Sequence, residues 1–236
     1  MKIKVVGMGG IGTCLIHPLA RFLNYTKFPA PVQLTIIDGD QYEEKNKDRQ
    51  WFSELGNKAE VTVKTIAPMY AKINFFSAAL FISADNVVRS IREGDCIFLC
   101  VDNDKTRKII ADRCKDLQEI TVINGGNELI SGTVQTWVKR KGKNLTLPID
   151  NETYGFKIAK AADEHPKDVL ARNGCEVRFA SGETQTIIVN NAVAAAMLNA
   201  LYALLQGQLD YDIVYVDCLP NRMASRKNNT RPELVL

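Results

Sequence analysis

The sequence predicts a doubly wound α/β domain, with a mostly parallel sheet and an antiparallel C-terminal extension. Three observations predict it: a short β-rich run that breaks into glycines and then into a helical pattern, further apolar runs alternating with helical ones, and a run from Cys96 to Val101 that is apolar throughout. Alternation of this kind builds right-handed βαβ crossovers. A strand without a polar side suits a parallel sheet covered on both faces. The 236 residues are enough for one such domain, and 1–236 is read as a single unit.

The elements come in this order. Lys2 to Val6 is the first strand, and Ile11, Leu15, Leu19, Phe22 and Leu23 mark the helix after it. Gln33 to Ile37 is a second strand that ends in Asp38; a polar segment then leads to a helix from Asn57 to about Ala71. Ile73 to Phe76 is a third strand, and a short helical stretch surrounds Val87. The run Cys96 to Val101 carries Asp102 at its carboxyl end, and a helix from Asp104 to Leu117 succeeds it. Strands at Ile120 to Ile123 and Ile130 to Val138 come next. Between Lys139 and Asn173 the sequence is polar and aperiodic, which predicts a functional loop or a mobile crossover. An apolar helix from about Glu183 to Leu205, a strand from Ile213 to Asp217 and a polar tail close the chain.

Composition narrows the function. Hydrophobic residues make up 46% and charged residues 24%, the balance of a globular protein. A net charge of +3, from 30 basic and 27 acidic side chains, predicts neither a nucleic-acid nor a membrane surface. The basic clusters at Lys139, Arg140, Lys141 and Lys143 and at Arg222, Arg226 and Lys227 read as a solvated loop and a solvated tail. Ile187 to Leu205 approaches transmembrane length, but Asn190, Asn191 and Asn199 interrupt it. A helix buried against the sheet or a partner subunit, with the asparagines at polar edges, fits it better. The cysteines (14, 96, 100, 114, 175 and 218) show no CxxC spacing, so no zinc is expected. With no signal-peptide pattern at the N-terminus, a cytoplasmic protein is expected.

Gly7-Met8-Gly9-Gly10-Ile11-Gly12 lies between a strand and a helix, where backbone N–H groups and the positive helix end can face phosphate oxygens. Asp38, at the end of the next strand, stands where a carboxylate can accept from ribose hydroxyls; a turn aspartate is the other reading. These two features make the fold Rossmann-like and are shared by dinucleotide and ATP sites.

The segment that begins at Asp38 is not typical of a nicotinamide site. Asp38-Gly39-Asp40-Gln41-Tyr42-Glu43-Glu44-Lys45-Asn46-Lys47-Asp48-Arg49-Gln50 resembles the D-x-D-x-V-E-x-S-N-L-x-R-Q pattern of the ThiF/MoeB family, bacterial relatives of the ubiquitin-activating enzymes. Tyr42, Lys45 and Lys47 depart from that pattern's valine, serine and leucine. Gly56-Asn57-Lys58-Ala59, Cys100-Val101-Asp102-Asn103 with Thr106-Arg107, and Gly125 to Val134 resemble further family segments in the same order.

The resemblance implies an adenylyltransferase that activates the C-terminal carboxylate of a small ubiquitin-like or sulfur-carrier protein, with ATP and Mg²⁺, as a homodimer. It implies Arg49, Lys58 and Asp102 as catalytic residues, Asp102 as the metal ligand, and Gly7, Gly9, Gly10, Gly12, Asp38, Asp40, Asn46, Arg49, Gln50 and Lys58 around the nucleotide. That chemistry asks for fixed cations and a metal, because attack on the α-phosphate builds negative charge on phosphate oxygens. Singly, Arg49 and Lys58 also read as surface charges, and Asp102 as a helix cap. Cys175, in a polar context, is the candidate for a later thioester nucleophile against an incidental role. His17 and His165 give little material for a histidine-based triad; packing or capping is expected of the first and exposure of the second.

The resemblance is incomplete at the N-terminus, where relatives carry an arginine-bearing helix before the first strand. That leaves the phosphate charge to Arg21 or a loop lysine, or the activity reduced. Two other classes compete: an NAD(P)-binding oxidoreductase, which gives Arg49, Lys58 and Asp102 no role, and a non-catalytic relative that binds a nucleotide or a partner.

Overall fold

In the computed structural model, which describes residues 1–47, 50–152 and 187–228, strand β1 (Lys2–Val6) is the pivot of the sheet. It pairs in parallel with β2 (Val32–Ile37) on one side and with β6 (Asp95–Leu99) on the other. The chain first winds outward through helix α1 (Gly10–Tyr25), β2, helix α2 (Lys58–Ile66) and β5 (Ile73–Ala78), with the small antiparallel pair β3 (Gln41–Tyr42) and β4 (Gly56–Asn57) between β2 and α2. It then crosses through the one-turn helix α3 (Val87–Ser90) to β6, and continues through α4 (Asp104–Lys115) to β7 (Ile120–Asn127). The direction of winding reverses between β1 and β6. In open α/β sheets ligands bind outside the carboxyl ends of the strands at such a point.

Beyond β7 the sheet turns antiparallel. β8 (Ser131–Arg140) returns along β7, β10 (Tyr211–Asp217) pairs with β8, and β11 (Arg222–Lys227) forms the edge; the two-residue β9 (Lys143–Asn144) hairpins onto β8. The described sheet order is β11-β10-β8-β7-β6-β1-β2-β5. The mostly parallel sheet with an antiparallel C-terminal extension is therefore the observed architecture.

Each face of the sheet has its own apolar core. Ile3, Val5, Leu34 and Ile36 pack under α1, α2 and the long helix α5 (Ile187–Leu205). Val6, Ile97, Leu99 and Val122 pack under α3 and α4, together with Trp137 and Ile149. Every residue of β6 is buried, which accounts for its uninterrupted apolar run. The strand stops at Leu99, short of Val101, because the chain leaves the sheet to pass the glycine loop. At the opposite end of the sheet Lys4 enters the interior to meet Asp95 at 2.7 Å and the Ser90 carbonyl, so its charge is matched where it is desolvated.

Helix α5 is long and apolar enough to cross a membrane by length and composition alone. In this fold it lies on the sheet, with Val189, Val193, Met197, Leu201 and Leu204 buried. Glycines shape its seat. A Cβ at Gly125 would come 2.5 Å from Met197 Sδ, and one at Gly132 would meet Val193 and stand 2.7 Å from the Gly126 carbonyl oxygen. Asn191 and Asn199 are exposed as expected, but Asn190 is not at a polar edge: it is fully buried, packed on Gly10 at the start of α1.

The basic clusters also depart from expectation. β8 runs on to Arg140 because Lys139 still pairs with Ile120. Lys139, 7% exposed, donates to the Lys115 carbonyl, and Arg140 donates to the Ile120 carbonyl and to Thr121 Oγ1. The stems of these side chains lie along the structure while their tips cover backbone acceptors. The predicted loop thus begins with a strand and a hairpin; its residues from 153 to 173 lie outside the described residues. Likewise the polar tail is partly a strand, β11, in which Arg226 forks both carboxylate oxygens of Asp212 at 3.0 and 2.7 Å.

The seat of α5 yields a stability prediction. Gly132→Ala forces a methyl group between Val193 and a backbone carbonyl, and overpacking of this kind costs about 1–3 kcal/mol. A urea denaturation midpoint equal to that of the parent would show that α5 is not held there.

Candidate functional site

The site is assembled at the carboxyl ends of β1, β2 and β6. β1 is followed directly by Gly7, whose φ of +94° an L side chain rarely adopts and whose Cβ would sit 2.9 Å from the carbonyl of Cys100. Gly7 N–H donates to the Ile37 carbonyl at 2.9 Å, and Cys100 N–H donates to the Val6 carbonyl at 2.8 Å, so the three strand ends are stitched before they diverge. Gly12 lies so close to the Gly7 carbonyl that a Cβ there would overlap it. Gly9, in contrast, faces open space. It precedes the first turn of α1, the position from which N–H groups can point at an anion.

Asp38 holds this loop. Its Oδ2 accepts from Met8 N–H at 2.5 Å and its Oδ1 from Asp40 N–H at 2.7 Å, which ties the glycine loop and the 38–40 turn into one piece. Burial raises its carboxyl above the ordinary aspartate range; the two N–H donors and the Lys58 charge oppose that shift. Each oxygen still has acceptor capacity toward a ligand hydroxyl. Asp38 is therefore a turn aspartate and can be a ribose ligand as well, two readings that the sequence had set against each other.

Lys58 is not a surface charge. It opens α2, is 6% exposed, and places Nζ 3.0 Å from Asp40 Oδ2 and 6.0 Å from the centre of the Tyr42 ring. Asp40 occupies one of the ammonium's three donors. Tyr42, larger than the valine of the family pattern, stacks on Phe52 at 4.5 Å and shares a hydrogen bond with Thr62; burial pushes its phenol up to about 12.

Asn57 is a site residue that the motifs do not single out. Its Nδ2 donates to the carbonyls of Asp38 and Asp40, both at 3.0 Å, while its Oδ1 caps α2 by accepting from Ala59 and Glu60 N–H. One side chain thus fastens the acidic turn to the helix that carries Lys58. The available signal was its place directly before a helix start, as an N-cap asparagine.

The remaining candidates divide. Asn46 is buried and works on backbone: its Oδ1 accepts from Glu43 N–H at 3.0 Å in a capping box around a single 3₁₀ turn. Gln50 is buried, and its Oε1 is without a hydrogen-bond partner. Arg49, Cys175 and His165 lie outside the described residues. His17, as expected, packs: its ring meets Trp51 edge-on at 5.1 Å.

Asp102 is exposed in the loop after β6. It does not cap α4; Asn103 does, accepting from Thr106 N–H at 2.8 Å. Arg107 holds the loop from behind, donating to the Val101 and Gly125 carbonyls at 2.7 and 3.2 Å and pairing with Asp104. Among the described residues the Asp102 carboxylate has no hydrogen-bond or ion-pair partner, so it is available to a cation. The thiols of Cys96, Cys100 and Cys114 are pushed up to about 12 by burial and are inert as nucleophiles.

A glycine loop, an acid at the end of the adjoining strand, a buried lysine and an exposed strand-end carboxylate are residue types suited to phosphate, ribose and a cation. The ThiF family model matches residues 1–227. The chain belongs to the ThiF family. Among curated relatives, the adenylyltransferase and sulfurtransferase MOCS3 of Xenopus laevis is 26% identical over 140 residues, covering 58% of this chain and 28% of that protein. Among solved structures, the microcin C7 biosynthetic enzyme MccB, in complex with N-formylated MccA, superposes with a TM-score of 0.70 at 19% identity, over 98% of this chain and 65% of its own. E. coli MccB with ATP gives a TM-score of 0.66 at 18% identity, over 98% and 64%. This ThiF-family chain therefore spans under a third of the curated relative and just under two thirds of MccB, with which it shares the fold.

Two predictions test this geometry. Asn57→Ala removes the α2 cap and releases the acidic turn, so stability should fall by about 0.5–2 kcal/mol and nucleotide affinity should fall with it; unchanged affinity in calorimetry would remove Asn57 from the site. Asp38 should titrate above ordinary aspartate. Because its folded pKa is raised, the folded state holds the proton more tightly than the unfolded one. Its contribution to stability is fully present below the unfolded pKa and is lost as pH rises through the raised value. Ribose binding needs an acceptor carboxylate, so affinity should fall as pH drops through the same midpoint. NMR titration of the Asp38 carboxyl alongside nucleotide titrations checks both.

Proposed function

We propose that the chain is an ATP-dependent adenylyltransferase that activates a carboxylate as its acyl-adenylate. The observation that carries this reading is Lys58, a lysine held almost fully buried on Asp40, in the turn that Asp38 joins to the glycine loop. A desolvated, positioned ammonium at that place is suited to phosphate charge, whereas hydride transfer gives it nothing to do.

In the proposed reaction a substrate carboxylate oxygen attacks the α-phosphorus of ATP. The bond from that phosphorus to the bridging oxygen of the β-phosphate breaks, and its electron pair leaves on pyrophosphate. Gly9 and the α1 N-terminus receive the phosphates, and Asp38 accepts from the ribose. Lys58, and Arg49 as the family resemblance implies, balance the charge that develops on the phosphate oxygens.

The exposed Asp102 carboxylate fits a Mg²⁺ ion, a hard cation commonly held by one or two carboxylates and the nucleotide's own phosphates; among the described residues there is no larger cluster of metal-ligating side chains. Bound there, the ion would neutralise phosphate charge. For the acyl substrate we propose the C-terminus of a small protein or peptide. MccB has been solved in complex with N-formylated MccA, and the curated relative is an adenylyltransferase and sulfurtransferase by name.

ATP–pyrophosphate exchange with candidate carriers ending in Gly-Gly tests the reading, and carrier-dependent exchange is expected. Tight NAD binding without an ATP signal would overturn it. Lys58→Met should lower the exchange rate by about a hundredfold or more, the cost of losing a fixed charge at the developing anion. Asp102→Ala should lower it by about a thousandfold with an unchanged melting temperature, because Asn103 and not Asp102 caps α4. An active but destabilised Asp102→Ala would remove the metal from this scheme.

A further inference from the structure

Asn190 is the most deeply buried polar side chain near the glycine loop, and nothing in the scheme above uses it. It sits in the first turn of the described α5, 0% exposed. Its carboxamide packs against the first residue of α1 with the nitrogen foremost: a Cβ at Gly10 would stand 2.8 Å from Asn190 Cγ and nearer still to Nδ2. Gly10 is thus a glycine for the sake of Asn190, while Gly9 beside it faces open space.

The orientation of the amide is set from the other side. Asn127, at the carboxyl end of β7, donates through its Nδ2 to Asn190 Oδ1. That bond occupies the oxygen and turns the nitrogen toward the loop. Asn190 Nδ2 itself is buried and has no hydrogen-bond partner. A buried N–H left without a partner is destabilising, and folded proteins keep few of them without a reason. An apolar residue would fill this place in an otherwise apolar helix face without that cost.

From these observations we infer that Asn190 is a positioning residue of the nucleotide site, whose Nδ2 donates to a non-bridging phosphate oxygen of the nucleotide at the α1 N-terminus. The ligand class is a phosphate ester or anhydride, since a neutral N–H beside a helix N-terminus complements an anionic oxygen. The inference rests on the nucleotide reading of the glycine loop, and it adds a group from the C-terminal half of the chain to a site otherwise built from the N-terminal half.

The test uses Asn190→Leu, a neutral side chain of nearly the same shape. Removing the orphan N–H should leave the melting temperature equal to or above that of the parent, while losing a hydrogen bond to a charged group should weaken Mg·ATP binding by about ten- to a hundredfold in calorimetry. A purely structural role predicts the opposite pattern, parent-like affinity with altered stability, and would overturn the inference. Should Asn190→Leu not fold, Asn190→Ala replaces it, with several-fold weaker binding expected and parent-like affinity fatal to the idea. If the parent protein binds NAD and not ATP, the adenylyltransferase reading fails on its own, and the same comparison made with NAD decides the role of Asn190. A parent that binds neither nucleotide nor inorganic pyrophosphate sinks both.

Discussion

The contact on which the site depends is the pair of backbone hydrogen bonds accepted by Asp38. A glycine loop by itself is a mobile turn, and its N–H groups become a phosphate cradle only when the loop has one shape. By accepting from Met8 and Asp40 at once, Asp38 fixes the loop to the turn that meets Lys58. The carboxylate is partly desolvated to do this, which is why its proton affinity is raised although donors surround it. A group of this kind is stabilised by whatever brings it further donors, and ribose hydroxyls are such donors.

A second constraint acts from behind the loop. The strand ends can diverge around the switch point only if backbone approaches backbone closely, and Gly7 and Gly12 permit that on the β6 side and within the loop. Gly10, Gly125 and Gly132 permit it for α5, which lies across the junction between the parallel and antiparallel parts of the sheet. The glycines thus divide by purpose: some admit strained or close backbone, others admit a helix, and Gly9 faces open space.

The charged residues follow the same economy of partners. Lys4, Lys58, Lys139 and Arg140 all leave solvent, and each meets a carboxylate, backbone carbonyls or both. Three of them serve the sheet's amino-terminal margin, where carbonyls and acids need donors. Of these four, Lys58 alone stands toward the carboxyl ends of the strands, and its single carboxylate partner leaves donors to spare.

The alternation of apolar runs was sufficient to determine the fold class, the parallel character of the first half of the sheet and the burial of β6, because these follow from periodicity and from the handedness of crossovers. The motif spacing likewise determined the family and the placement of Gly7, Asp38, Lys58 and Asp102, since chain distance along a βα unit fixes which strand end a residue reaches. Side-chain partners could not be read this way. Asn57 and Asn103 look alike in sequence to many polar residues before helices, and it took the fold to bring the first under the acidic turn and to give the second the cap that Asp102 had been offered. Asn190 read as a polar edge because helix periodicity says which residues share a face, not what that face meets. The tertiary structure decided that it meets Gly10, and that Lys139 and Arg140 end on backbone carbonyls instead of in water. Those outcomes depend on contacts between segments distant in the chain, whose packing no local pattern encodes.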